Sequence, residues 1–156
     1  MFWKRSAPQS TAPQSPAGPA KLSPEELNRF LAEVFPQIEI GRAMEVEETA
    51  HGFARLRMRY GDHLLRPGGT ISGPAMFSLA DVAMYAAVLA SIGPVPLAVT
   101  TNLTINFLRK PGPRDMIGEA RLLKLGKRLA VGEIGLFTDG EEDLAAHATA
   151  TYSLPG

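Results

Sequence analysis

The sequence predicts an α+β fold: one long apolar helix, a short helix before it, and a curved antiparallel sheet of about six strands that covers the long helix. Three observations predict it. Residues 73–92 are apolar on nearly every helical face, so that helix must be wrapped by protein. Segments on both sides of it alternate apolar and polar residues with a period of two, the pattern of strands with one covered face. The last strands are separated by short glycine-containing connections, Gly126-Lys127-Arg128 and Asp139-Gly140, which signal antiparallel hairpins.

Taken in order, residues 1–22 (MFWKRSAPQSTAPQSPAGPAKL) are rich in Pro, Ser, Ala and Gln and have no hydrophobic period. Such a segment buries too little apolar surface to offset its ordering entropy, and it is expected to be a disordered tail. It lacks the apolar core of a secretory signal. The folded domain is expected over 23–156. Ser23-Pro24-Glu25-Glu26 is a capping box with proline at the first helical position. Phe30, Leu31, Val34 and Phe35 form the apolar stripe of that helix, and Pro36 ends it. Two strands follow, at 38–50 and 53–60, around His51-Gly52. In the second, Arg55, Arg57 and Arg59 alternate with Leu56, Met58 and Tyr60, which predicts a solvated arginine face. After the loop 61–72, the long helix carries a small-residue stripe of Ala80, Ala83, Ala87 and Ala90 that permits close backbone approach. Four strands close the chain, at 98–109, 115–125, 129–138 and 143–154.

Charge and composition exclude several function classes. Lys+Arg and Asp+Glu both number 16, so nothing electrostatic favours nucleic acid. There is no cysteine, which removes disulfides, thiol nucleophiles and cysteine-based zinc sites and fits a reducing, cytoplasmic setting. The apolar run approaches membrane-spanning length, but Pro74, Ser78 and Asp81 interrupt it and basic flanks are missing. A core helix is expected and no membrane partner. The histidines, His51, His63 and His147, show no i, i+4 spacing or carboxylate partner in sequence, so no metal is expected. Ser78 and Ser91 lack a nucleophile-elbow context.

Between Pro67 and Leu108 the only charged residue is Asp81, in the middle of the apolar helix. Burying a carboxylate there is costly unless it is paired or hydrogen-bonded. A solitary acid in such a place is a catalytic candidate with a physical motive; the structural alternative is an Asp bonded to a neighbouring loop.

Three stretches carry a resemblance. Ser72-Gly73-Pro74-Ala75-Met76-Phe77-Ser78-Leu79-Ala80-Asp81 resembles the helix-start signature H-G-G-x-x-x-x-L-A-D of hotdog-fold acyl-CoA thioesterases of the PaaI-like branch, in the 4-hydroxybenzoyl-CoA thioesterase superfamily. Residues 100–111, TTNLTINFLRKP, resemble that family's next strand, and 126–134, GKRLAVGEI, its hairpin. The resemblance spans roughly residues 37–154. It implies a hotdog fold, hydrolysis of an acyl-CoA to free acid and coenzyme A, no cofactor beyond the substrate's own CoA moiety, and active sites between paired subunits. Self-association is implied as a homodimer, and as a tetramer built from two dimers.

The resemblance also assigns roles. Gly73 is placed as the amide that polarises the thioester carbonyl, since Pro74 has no N–H and a helix N-terminus carries partial positive charge. Asp81 is placed as general base toward water or as nucleophile forming a mixed anhydride. Thr100 is placed at a strand hydroxyl that holds water; its alternative is an ordinary strand threonine. Eight residues of helix separate Gly73 from Asp81, about 12 Å at 1.5 Å per residue, so one thioester cannot easily touch both in a single chain. If both act, Gly73 of one subunit faces Asp81 of the other.

The chain departs from the pattern at Ser72, where the family has His, and at Arg66, where Asn is common. Ser72 suits a helix N-cap. Arg66, Gly69, Ser72, His63, Lys127 and Arg128 are candidate substrate-binding positions, and Arg109, Lys110 and Arg114 are further cations available to CoA phosphates. Two other classes stay open: a non-catalytic acyl-CoA-binding sensor, and a hydratase or dehydratase, against which the loss of the His counts.

Overall fold

A computed structural model describes residues 18–155. Its elements are α1 (Pro24–Val34), β1 (Met44–Ala50), β2 (Phe53–Met58), α2 (Gly73–Ile92), β3 (Val99–Phe107), β4 (Met116–Leu125), β5 (Leu129–Thr138) and β6 (Ala146–Ser153), with single 3-10 turns at Pro36–Ile38 and Asp62–Leu64. The strands form one six-stranded sheet in the order β1-β2-β4-β5-β6-β3. Every pairing is antiparallel. This is the hotdog arrangement: α2 lies in the curve of the sheet.

Each element follows from its residues. The capping box of α1 is closed in both directions, with the Glu26 N–H donating to Ser23 Oγ at 3.1 Å and the Ser23 N–H to Glu26 Oε1 at 2.9 Å. α2 runs over the predicted span. Its N-cap Ser72 accepts from the Ala75 N–H, and the chain leaves through Gly93 at φ 99. Its apolar residues from Ala75 to Ala90 are nearly all buried, so its membrane-like length reflects a core helix. The sheet makes room for it at two glycines. A Cβ at Gly118 would lie 3.1 Å from Leu79 Cγ, and one at Gly132 only 2.7 Å from Met84 Sδ. At the far end, the Ser91 hydroxyl donates to the Ala87 carbonyl at 2.8 Å and accepts from the Gly52 N–H at 2.7 Å, tying the β1–β2 turn to the helix. Ser91→Ala would leave that buried N–H unpaired and is expected to destabilise the protein by about 1–3 kcal/mol, read as a shift in the denaturant midpoint.

Four details differ from the sequence reading. Residues 38–43 do not extend β1: Pro36 starts a 3-10 turn, Glu39 and Gly41 have φ of 51 and 90, and the strand begins at Met44. Residues 18–22, placed in the tail by composition, are bound to the domain. The Lys21 N–H donates to the Ala90 carbonyl and the Thr49 hydroxyl to the Leu22 carbonyl, both at 2.8 Å. Residues 1–17, the rest of the expected tail, lie outside the described residues. The arginine row is not simply solvated. Arg55 pairs with Glu47 and the buried Glu119; Arg57 pairs with Glu47, Asp115 and Asp139. Glu47 on β1, Glu119 on β4, Asp115 just before β4 and Asp139 just after β5 sit opposite the row, which strand pairing decides. Finally, β6 begins at Ala146 rather than at residue 143.

The two sheet edges are treated differently. On β1, Asn28 of α1 mimics a strand: its Nδ2 donates to the Val46 carbonyl at 3.0 Å and its Oδ1 accepts from the Val46 N–H at 2.8 Å. On the opposite edge, β3 (VTTNLTINF) has no charge, and Val99 and Phe107 are 53% and 51% exposed. Such an edge is a template for another strand.

Candidate functional site: two grooves at opposite ends of one edge strand

Asp81 lies about two turns into α2, on the face that also carries Pro74, Phe77 and Ser78 and that the sheet leaves uncovered. The carboxylate is therefore half-buried, not enclosed as the apolar pattern suggested. Two hydroxyls hold it. Thr100 Oγ1, from β3, donates to Asp81 Oδ1 at 2.7 Å. The Tyr152 hydroxyl, from β6, shares its one hydrogen between the same Oδ1 at 2.7 Å and the Asp81 carbonyl at 3.0 Å. Both strands deliver these groups because Thr100 and Tyr152 are register partners facing the helix. Burial, and then the neighbouring Asp81 charge, push the Tyr152 phenol far above its ordinary range, so it remains a proton donor throughout the working pH range.

A groove of about 360 Å³ opens over Asp81 and Thr100 and is walled by Val34, Phe35, Tyr85 and Val99. Tyr85 stacks on Tyr152 with centroids 6.1 Å apart and meets Phe35 edge-on at 6.2 Å. Its hydroxyl donates to the Pro96 carbonyl at 2.9 Å. Burial raises this phenol as well.

Gly73 lines a different groove, of about 430 Å³, together with Phe107, Arg66, Arg109 and Lys110. Its backbone is not left-handed, so the turn into α2 does not require glycine there. What a side chain would disturb is space: a Cβ at Gly73 would sit 3.3 Å from Phe107 Cζ. As the first residue of α2, Gly73 has an N–H with no intrahelical acceptor, and no partner for it occurs among the described residues. The two grooves sit at opposite ends of β3, near Thr100 and near Phe107. Seven strand steps separate them, roughly 23 Å at 3.3 Å per residue.

The other sequence candidates fall as follows. Ser72 is the N-cap, its Oγ accepting from the Ala75 N–H at 3.2 Å. Gly69 has φ 84 and donates its N–H to the Arg66 carbonyl at 2.9 Å, so it shapes the loop that carries Arg66 to the groove without lining it. His63 is exposed in the Asp62–Leu64 turn and lines neither groove. Lys127 and Arg128 are exposed at the β4–β5 hairpin, also outside both linings. That hairpin stands at the Thr100 end of the sheet, since Leu129 and Val99 both pair with Ser153. Arg109 pairs with Asp143 and Arg114 with Glu141 at the surface. His147 does have a carboxylate partner: its Nε2 is 3.0 Å from Glu133 Oε1, on the sheet face away from α2. Sequence reasoning missed Tyr152 and Phe35 as parts of the site. The available signal was parity: Tyr152 shares a strand face with Ala146, Ala148 and Ala150, and is the one large residue in that row.

Comparison with known proteins agrees with the fold. The thioesterase superfamily model matches residues 68–145. A protein of Saccharolobus solfataricus that carries an esterase name is 37% identical over 135 residues, which is 84% of this chain and 85% of that protein. A crystal structure from Silicibacter sp. TM1040, of a protein named as a thioesterase, has 47% identity and a TM-score of 0.81, covering 90% of this chain and 97% of the other. A mutant structure of the phenylacetic acid degradation protein PaaI from Thermus thermophilus has 25% identity and a TM-score of 0.67, covering 77% and 99%. With its hotdog fold and these relatives, the chain belongs to the thioesterase superfamily.

Proposed function

We propose that the protein is an acyl-CoA thioesterase whose active sites are built from both subunits of a homodimer in the cytoplasm. The observation that carries this reading is the division of labour between the two grooves. One chain has a held carboxylate at one end of β3 and an open helix N-terminus ringed by cations at the other. Antiparallel pairing of two β3 edges about Leu103 would set each Thr100 end beside the partner's Phe107 end. Each Asp81 would then face the partner subunit's Gly73. Exposed apolar groups on this side, including Phe77, Leu97, Val99 and Phe107, would be covered in the same step.

The reaction follows from these groups. The partner subunit's Gly73 N–H, at the positive end of its helix, donates to the thioester oxygen and stabilises the charge that develops there. Asp81 takes a proton from water as the water oxygen attacks the carbonyl carbon. The tetrahedral intermediate then breaks its C–S bond, and the CoA sulfur takes the proton back from Asp81 and leaves as thiol. Thr100 supports water attack over a mixed anhydride. Its only hydroxyl hydrogen is committed to Asp81 Oδ1, so toward a water it acts as acceptor. Arg66, Arg109 and Lys110 supply charge for the CoA phosphates, with Lys127 and Arg128 beyond Thr100 as further candidates.

The deciding experiment offers acyl-CoAs of several chain lengths, and an arylacyl-CoA, to the purified protein with a thiol-trapping dye. Thiol release supports the enzyme; saturable binding without release supports a ligand sensor instead. Arg66→Ala and Arg109→Ala are each expected to raise KM roughly three- to tenfold with kcat nearly unchanged, because a phosphate contact binds ground and transition states alike. The difference should vanish with an N-acetylcysteamine thioester, which has no phosphates.

A further inference from the structure

Asp81 Oδ1 accepts two hydroxyl donors, while Oδ2 has no partner among the described residues. We propose that Tyr152 is a positioning residue that fixes which oxygen of Asp81 reacts: it ties Oδ1 to the sheet and leaves Oδ2 free toward the groove. This rests on the thioesterase reading of the same site.

A carboxylate on a helix can rotate about χ2, and either oxygen can serve as base. Tyr152 removes that freedom with its single O–H, shared between Oδ1 at 2.7 Å and the carbonyl oxygen of the same residue at 3.0 Å. The grip ties the acid's side chain and its own backbone to one point on β6. The phenol is itself held. Tyr152 is 3% exposed, stacks on Tyr85, and Tyr85 is anchored through its hydroxyl to the Pro96 carbonyl. Phe35, just past α1, closes the column from the other side. Thr100 donates from β3, whereas Tyr152 donates from β6, which is flanked by β5 and β3 within the same chain. The gain is a single orientation for Oδ2 at the moment of proton transfer.

Tyr152→Phe keeps the ring and its stacking and removes only the hydroxyl. The expected result, using the best substrate of the acyl-CoA panel, is a kcat lowered roughly 10- to 100-fold with KM changed less than about threefold. A tyrosine that merely fills space would lower thermal stability without that split. Incorporating 3-fluorotyrosine at position 152 keeps both ring and donor and is expected to keep kcat within about threefold of wild type. Asp81→Asn run alongside separates two failures. If Asp81→Asn is inactive but Tyr152→Phe retains kcat within about twofold, the positioning role is wrong and the thioesterase reading stands. If Asp81→Asn retains activity, or the wild-type protein releases no thiol from any member of the panel, both are overturned.

Discussion

Asp81→Asn is expected to lower kcat for thioester hydrolysis by roughly 10³-fold while the dimer and its melting temperature stay close to wild type. The argument is one of near-isosteric replacement. Asparagine keeps an acceptor oxygen for the Thr100 and Tyr152 hydroxyls, so the local hydrogen bonds survive. It loses the basic second oxygen, and with it the proton acceptor for water. Because Asp81 is half-buried at a groove and is not locked in the core, removing its charge leaves no buried ion unpaired. Kinetics with the thiol-trapping dye and light scattering on the same sample check both halves. Activity within about tenfold of wild type would take Asp81 out of the chemistry.

The second large effect is a rescue. Gly73→Val should also be nearly inactive, because a side chain there presses on Phe107 and fills the approach to the helix N-terminus. Mixing the two inactive variants by co-expression is then expected to restore about a quarter of wild-type activity. In a random mixture about half of the dimers carry one chain of each kind, and each of those has one intact site out of two. Recovery requires that Gly73 and Asp81 act across the interface. If the co-expressed mixture stays as inactive as its parents although mixed dimers are shown by mass, each site lies within one chain and the shared-site reading ends.

Local chemistry was legible where it is self-contained. α2 could be bounded at both ends because its cap serine and its exit glycine are neighbours in sequence. The capping box of α1 was readable for the same reason. The segment 38–43 was misread as strand because its apolar residues, Ile38 and Ile40, fit alternation. The left-handed Glu39 and Gly41 that break it belong to tight turns hydrogen-bonded between Pro36 and Met44, which an apolar alternation does not register. The arginines of β2 were visible, but their acids arrive from β1, β4 and the turn after β5, up to 82 positions away.

The candidate site divides in the same way. Asp81 stood out by itself, as a lone charge in an apolar helix, whereas Gly73 was singled out by resemblance. Thr100 followed from resemblance. Tyr152 did not, since its partner lies 71 positions earlier in the chain. A pattern apolar on every side cannot say which face a sheet will leave open, so Asp81 was read as enclosed.

By itself, the amino-acid order determined that a long apolar helix must be wrapped by an antiparallel sheet, and that its one acid had to be either held or used. Only the tertiary structure decided that β3 crosses to the far edge beside β6, that Thr100 and Tyr152 converge on one carboxylate oxygen, and that the two grooves open at opposite ends of one strand. The physical reason is range. Caps and periodicity act over a few residues, whereas strand order and hydroxyl convergence are set by burial summed over the whole chain, which no local window contains.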